Sequence, residues 1–172
     1  MNNLKNNFIK VLFSIFLITS LASCDEGGDP SKEDIGMTTT GAYAGDWYIT
    51  LTDTDGVTLV EHVLHSTYNT AANDNTMWVD DHGDGYVFKS KVFVNTASGS
   101  FSATDSPNIN DGGDNDTTVT ITEGQITKYG AVSKGGHPVD RIQFRVHYSY
   151  DPAGYDILYD GHRRTGFLED EY

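Results

Sequence analysis

The chain has 172 residues, of which 11 are Lys or Arg and 25 are Asp or Glu, and its formal net charge at pH 7 is −14. A negative charge of this size repels nucleic acid and anionic membrane surfaces, so the sequence predicts no nucleic-acid partner. The length suits one compact domain, and the single cysteine excludes a disulfide bond within the chain.

Residues 1–23 have the organisation of a signal peptide. Lys5 and Lys10 form a positive n-region, and residues 11–18 are an apolar run that is too short to span a bilayer. The sequence LASC, which ends at Cys24, resembles the bacterial lipobox. This resemblance implies cleavage before Cys24, whose acyl chains would then anchor the protein to a membrane. Loss of the two lysines would change the net charge from −14 to −16.

Residues 24–40 are acidic and rich in Gly, and they are predicted to form a flexible tether. Residues 41–172 are predicted to form a single domain. The acidic residues directly after Cys24 also resemble the surface-export signal of Bacteroidetes lipoproteins. We therefore expect a protein of the cell envelope that is lipid-anchored to the outer membrane, on its periplasmic or its surface face.

Beyond Tyr43, apolar and polar residues alternate, which is typical of strands with one buried face. The clearest case is the sequence RIQFRVHYSY. The predicted strands are residues 47–51, 57–64, 86–94, 117–122, 125–132, 141–150, 155–159 and 163–168. Tight turns are predicted at Asp55-Gly56, at Glu123-Gly124 and at residues 151–154. No long stretch has a helical period. The fold class is therefore all-β, with an antiparallel up-and-down barrel of about eight strands as the predicted architecture and a β-sandwich as the alternative.

Two short motifs favour the barrel. GDW opens the first predicted strand, and HRRTGF lies in the last. Together they resemble the G-x-W pattern of lipocalins and other calycins, in which a tryptophan on the first strand packs under an arginine from near the chain's end. The resemblance implies that Trp47 and either Arg163 or Arg164 close the base of the barrel, where the indole face attracts the guanidinium.

A wider resemblance covers most of residues 41–172. The segments YAGDWYITL, YNTAANDNTMWVDD, FKSKVFVN and GHRRTGF occur in this order. They resemble a family of Bacteroidetes lipoproteins described as lipid-binding putative hydrolases. The resemblance implies a small β-barrel lipoprotein with a lipid-like ligand. It also implies a hydrolase activity, but it supplies no catalytic residue, so the catalytic residues stay unknown.

Four residues of one long polar segment are the predicted ligand-binding residues: Tyr68, Asn69, Trp78 and Asp80. Aromatic rings beside amides and carboxylates can stack on a sugar or line a mostly apolar pocket. We expect a small apolar or amphipathic ligand in the barrel interior, with these residues near the mouth. An eight-stranded barrel either holds one small ligand or is filled by its own side chains. A surface module that binds a glycan or a protein is the other interpretation of these aromatic residues.

Metal binding is weakly indicated. His62 and His65 lie three residues apart on a predicted strand, so their side chains point to opposite faces. Asp-rich loops occur at residues 80–85 and 110–116. The first has His82 and Lys91 where a calcium-binding EF-hand loop needs oxygen ligands. The second offers Asp111, Asp114 and Asp116, whose oxygen atoms could gather around calcium, but solvated turns are the commoner explanation of such loops. The sequence therefore predicts solvated turns, and no metal site and no cofactor.

Hydrolase motifs are missing from the sequence, since neither G-x-S-x-G nor H-E-x-x-H occurs. His137 with Asp140 nearby could act as a general base at the barrel rim. The alternative is that His137 is a turn residue without a catalytic role.

Overall fold

The computed structural model of the protein describes residues 38–110 and 117–172. Its eight strands, in chain order, are β1 (Gly45–Thr52), β2 (Thr58–Asn69), β3 (Thr76–Asp80), β4 (Lys89–Asn95), β5 (Ser100–Pro107), β6 (Thr118–Val132), β7 (Pro138–Tyr148) and β8 (Ile157–Arg163). Short 3-10 helices occur at Gly41–Tyr43 and Leu168–Asp170. The predicted signal peptide, Cys24, most of the predicted tether and residues 111–116 of the second Asp-rich loop lie outside the described residues.

The strands form a closed antiparallel barrel. Each strand pairs with the next along the chain, and β8 pairs with β1. The predicted eight-stranded barrel is confirmed, and its closure excludes the sandwich because a sandwich leaves edge strands unpaired. Within residues 38–110 and 117–172, no helix is long and apolar enough to cross a membrane.

Two strands were not predicted individually. The short β3 falls inside the segment that we expected to be a barrel mouth, and its residues Met77 and Val79 are buried while Trp78 between them is half-buried. Strand β5 is mostly polar, and its one fully buried side chain is Phe101. A strand with so few inward apolar residues lacks the alternation by which strands are recognised in a sequence.

The predicted hairpin turn at Glu123-Gly124 is wrong, because both residues lie inside the long strand β6. Thr122 pairs with Arg145 and Gln125 pairs with Gln143, so two residues of β6 lie opposite one residue of β7. This is a β-bulge, and Glu123 has the positive φ of 54° that bulge residues can adopt. The predicted strand at 163–168 is also wrong: β8 ends at Arg163, where the chain leaves the sheet toward the 3-10 helix.

Aromatic rings fill the centre of the barrel. The Phe144 ring is stacked 4.6 Å from the Tyr159 ring and lies 5.5 Å from Phe101, and Phe88 lies 5.8 Å from Tyr159. These separations are in the favourable range for aromatic pairs. The apolar and aromatic residues with no accessible surface are Trp47, Ile49, Leu51, Met77, Val79, Phe88, Val94, Ile142, Phe144, Val146, Tyr148, Ile157 and Tyr159. No water-sized void borders these side chains, so the barrel is packed like an ordinary protein core.

Trp47 on β1 contacts an arginine of the last strand. The Arg163 guanidinium lies 4.8 Å from the centre of the indole ring, and Trp47 Nε1 donates a hydrogen bond of 2.9 Å to Thr67 Oγ1. Arg163 Nε also lies 3.3 Å from Asp140 Oδ2. Arg164, the other arginine that the sequence offered, points outward and donates to Glu171. The two strands that carry Trp47 and Arg163 are directly paired, so this contact lies at the closing seam of the barrel.

The packed centre leads to a stability prediction. Phe88→Ala removes a fully buried ring and leaves a cavity, so we expect it to lower the free energy of unfolding by about 3–5 kcal/mol. The matched control is Phe93→Ala on β4, where the ring is 59% exposed, and the expected change is within about 0.5 kcal/mol. Urea unfolding followed by tryptophan fluorescence measures both. Equal shifts for the two variants would contradict the filled interior.

Candidate functional site

The outer wall of the barrel carries the polar groups that lie close together. On β2 and β3 the outward positions are Ser66, Tyr68, Trp78 and Asp80, since the residues between them face the core. Tyr68 pairs with Trp78 and Ser66 pairs with Asp80 across the two strands. We expected Tyr68, Trp78 and Asp80 at the barrel mouth, whereas all three lie at outward positions of their strands.

Asp80 is the centre of this outer surface. Its Oδ2 accepts a hydrogen bond of 2.7 Å from the Tyr68 hydroxyl and lies 2.9 Å from Lys89 Nζ, and its Oδ1 accepts from the His82 backbone N–H. Burial alone would raise the pKa of the Asp80 carboxyl, but the hydrogen bonds from Lys89, Tyr68 and His82 outweigh it and lower the pKa. Asp80 is therefore held ionised in a nearly buried position.

Lys89 joins the acid to the aromatic rings. Its Nζ lies 5.3 Å from the centre of the Tyr68 ring and 5.9 Å from that of Trp78. Both distances are within the range of cation–π attraction. Hydrogen bonding to Tyr68 and to Asp80 raises the pKa of Lys89. We call Tyr68, Trp78, Asp80 and Lys89 the aromatic surface.

Asn69 does not belong to this surface. Its Oδ1 accepts a hydrogen bond of 3.0 Å from Thr40 Oγ1, which ties the segment before β1 to the end of β2. Of the four predicted ligand-binding residues, the structure thus brings three together and leaves Asn69 with a local contact to the chain before the barrel.

A serine and a histidine meet beside the aromatic surface. Ser66 Oγ lies 2.8 Å from His82 Nε2 and donates a hydrogen bond of 2.6 Å to Asp46 Oδ1. His82 Nδ1 lies 3.9 Å from Asp80 Oδ1. Sequence reasoning missed this cluster because its members are far apart in the chain. The available signal was the alternation of β2 and β3, which places Ser66 and the end of β3 on the same outward face.

A groove of about 440 Å³ lies farther along the outer wall, over β1, β6, β7 and β8. Its apolar walls are formed by Tyr48, Ala131 and Leu158, and its polar groups include Arg141 and Asp160. Arg141 donates two hydrogen bonds, of 2.8 and 2.7 Å, to the Asp160 carboxylate. The groove therefore combines apolar surface with a charged pair, and its volume lies in the range of small-molecule sites.

The segment after β8 packs against two residues that line the groove, Tyr48 and His62. The Tyr172 ring is stacked 4.2 Å from the His62 ring and meets the Tyr48 ring edge-on at 4.9 Å. The Tyr48 hydroxyl donates to Glu171, and burial together with this carboxylate raises the pKa of Tyr48. These contacts fix the outward Tyr48 side chain as a rigid part of the groove wall.

The other candidate residues have structural partners. His137 Nε2 lies 3.6 Å from Glu169, whereas Asp140 binds Lys128 at 2.8 Å and Arg163 at 3.3 Å. His137 and Asp140 are therefore engaged with different partners, and the general base that we expected from these two residues is not assembled. Among residues 38–110 and 117–172, no three metal-ligating side chains of the His, Cys, Asp or Glu type cluster together.

One comparison with known proteins identifies the family. The family described as "lipid-binding putative hydrolase" matches residues 32–168, which is most of the chain. The chain belongs to this family. No match was found among the curated proteins.

Membership of the lipid-binding putative hydrolase family fits the eight-stranded barrel and a role as a lipid-binding module. The match begins before the barrel and ends after β8, so it includes both the aromatic surface and the groove.

The hydrogen bonds of Asp80 lead to a pH-dependent prediction. Asp80→Asn removes the carboxylate charge with which Lys89 and Tyr68 interact. We expect it to lower the free energy of unfolding by about 1–3 kcal/mol at pH 7. Because the folded-state pKa of Asp80 lies below the ordinary value of 3.8, its stabilisation is present above pH 3.8 and is lost as the pH falls through the lowered value.

Urea midpoints of the wild type and of Asp80→Asn, measured from pH 7 down to pH 2, test this. The difference should be constant at neutral pH and should shrink below pH 3.8. A difference that grows on acidification would show that the Asp80 carboxylate is not stabilised in the folded state.

Proposed function

We propose that this protein is a lipid-anchored protein of the cell envelope that binds a small, lipid-like amphipathic ligand in the groove on its outer wall. The observation that carries the proposal is the filled barrel. Phe88, Phe144 and Tyr159 have no accessible surface, so an interior ligand would have to displace packed rings. A ligand in the groove of about 440 Å³ would not have to displace any packed ring.

The chemistry of the groove suits a ligand with one apolar and one charged end. Tyr48, Ala131 and Leu158 supply apolar surface for a chain. Arg141 uses two of its N–H groups on Asp160, while a guanidinium has five such donors, so it has donors left for an anionic head group. A carboxylate or a phosphate monoester on an alkyl chain has this combination of properties.

The anchor is proposed from the sequence alone. Lys5, Lys10, the apolar run at residues 11–18 and LASC before the acidic segment support lipidation of Cys24. The acyl chains on Cys24 would be covalent and would hold the protein at the outer membrane. The ligand in the groove would be a separate, exchangeable molecule, so the two lipid interactions can be tested independently.

Lipidation is tested by replacing the cysteine. In cells fed an alkyne fatty acid, the full chain should become labelled and sediment with the membrane fraction. Cys24→Ala should lose the label and leave the membrane fraction, because a single residue carries all the acyl chains. Labelling that persists in Cys24→Ala would contradict the anchor, and Ser23→Ala serves as the neighbouring control.

Ligand binding is tested by filling the groove. Ala131→Trp places a large ring against Tyr48 and Leu158, and we expect it to weaken binding of the full chain to 11-(dansylamino)undecanoic acid at least tenfold, about 1.4 kcal/mol. The matched control is Ala153→Trp in the exposed turn before β8, where the affinity should stay within about twofold.

Dansyl fluorescence titration gives the Kd of each variant. Equal affinity of Ala131→Trp and the wild type would place the ligand elsewhere and would overturn the groove as the binding site. Arg141→Gln gives a second readout, since it should weaken the carboxylate probe more than the corresponding neutral alcohol.

A further inference from the structure

We propose that Ser66 and His82 are the nucleophile and the base of an ester-hydrolysing site on the outer wall of the barrel. This activity goes beyond the proposed binding function, and a different observation carries it: Ser66 Oγ lies 2.8 Å from His82 Nε2. A hydroxyl within hydrogen-bond reach of an imidazole nitrogen is the basic unit of serine nucleophile activation.

The position is open to a substrate. Ser66 is half-buried on the outward face of β2, and the His82 side chain is 41% exposed. Asp46, Ser66 and Asp80 form a row across three neighbouring strands, because Asp46 pairs with Ser66 and Ser66 pairs with Asp80. The nucleophile is therefore carried by rigid strands, which hold catalytic groups more accurately than loops do.

The backbone turn after β3 directs His82 toward Ser66. His82 has a φ of +55°, a conformation that costs energy for a residue other than glycine. Asp80 Oδ1 accepts the His82 backbone N–H at 3.0 Å, and Asp81 Oδ1 accepts the N–H of Gly83 at 2.9 Å. These two side chains hold the turn in the strained form that brings the imidazole over the serine hydroxyl.

The two acids beside the pair have different roles. Asp80 Oδ1 lies 3.9 Å from His82 Nδ1, which is beyond hydrogen-bond distance, but its negative charge favours the tautomer with the proton on Nδ1, in which Nε2 can take the Ser66 proton. Asp80 thus acts through His82 and is a positioning residue. In the free protein the Ser66 hydroxyl donates its proton to Asp46 at 2.6 Å, so in the 2.8 Å contact with Ser66 Oγ it is His82 Nε2 that donates. Before attack the imidazole proton has to move to Nδ1 and the hydroxyl has to rotate from Asp46 to His82.

The reaction follows from these positions. Ser66 Oγ attacks the ester carbonyl carbon and forms a C–O bond while its proton moves to His82 Nε2. Collapse of the tetrahedral intermediate breaks the bond to the leaving alcohol, which takes the proton from His82. A water molecule then attacks the acyl-serine by the same route and releases the carboxylic acid. The net change is ester plus water to acid plus alcohol, and no further reactant is needed.

The aromatic surface indicates the substrate class. Tyr68 lies two residues along β2 from Ser66, and Trp78 lies opposite Tyr68 on β3, so their backbone positions are about 7 Å along the strands from that of the nucleophile. Apolar acyl chains pack well on such rings. Lys89, which lies beside both rings, adds a positive charge near the same path. The substrate class is therefore a carboxylic ester with an apolar acyl group.

The kinetic test uses the full chain and p-nitrophenyl butyrate, whose activated leaving group requires little help from the protein. We expect Ser66→Ala and His82→Gln each to lower kcat/KM by about 100-fold or more. Asp80→Asn should lower kcat with little change in KM, as expected of a residue that positions the base. The matched control is Ser102→Ala, an exposed strand serine on β5, whose turnover should equal that of the wild type.

A covalent probe tests the nucleophile in the wild-type protein, so its result does not depend on whether the variants fold. A fluorophosphonate should label the wild-type protein, and peptide mass spectrometry should place the label on Ser66. Turnover no faster than the buffer rate, a label on another residue, or full activity in Ser66→Ala would each overturn the proposal.

The two proposals fail separately. Ser66→Ala should keep the wild-type affinity for 11-(dansylamino)undecanoic acid, because Ser66 does not line the groove. Ala131→Trp should keep the turnover of the short butyrate ester. Loss of both activities in either variant would show that binding and hydrolysis share one site, which would overturn the separate hydrolytic site.

Discussion

The closure of the sheet onto itself is the constraint on which the rest of the molecule depends. Once β8 pairs with β1, every strand residue points either into a closed space or out to solvent. The inward residues include Trp47, Phe88, Phe144 and Tyr159, and together they fill that space. The packed interior leaves the outward half of each strand to form the polar surfaces described above.

That outward half is organised by strand pairing. Neighbouring strands bring Asp46, Ser66 and Asp80 into one row, and Tyr48 follows Asp46 two residues later on the same face of β1. The groove and the serine–histidine pair are therefore adjacent regions of one wall. Strand β1 contributes to both, and its backbone is fixed at the seam by the contact of Trp47 with Arg163.

The sequence predicted the fold class well and the site only in part. The barrel could be predicted from the alternation of apolar and polar residues and from the turn residues. A half-buried strand has an apolar residue at every second position, and residues 141–150 show this pattern clearly. The same method failed at Glu123-Gly124, where a bulge and a turn have the same composition. The contact between Ser66 and His82 could not be predicted in this way. It depends on the register of β2 with β3 and on the left-handed backbone conformation of His82, and the local period of the sequence contains neither.

The bulge in β6 also determines how the barrel tolerates changes in length. Two residues of β6, Glu123 and Gly124, lie opposite one residue of β7, and a Cβ on Gly124 would come within 2.2 Å of the Phe101 carbonyl oxygen. Deleting the exposed Glu123 would restore regular pairing and straighten the strand without reversing which residues face the core, whereas deleting Gly124 would place the Glu123 side chain against Phe101. Chain length at this position therefore adjusts the curvature of the wall, while the filled interior and the outward surfaces keep their residues.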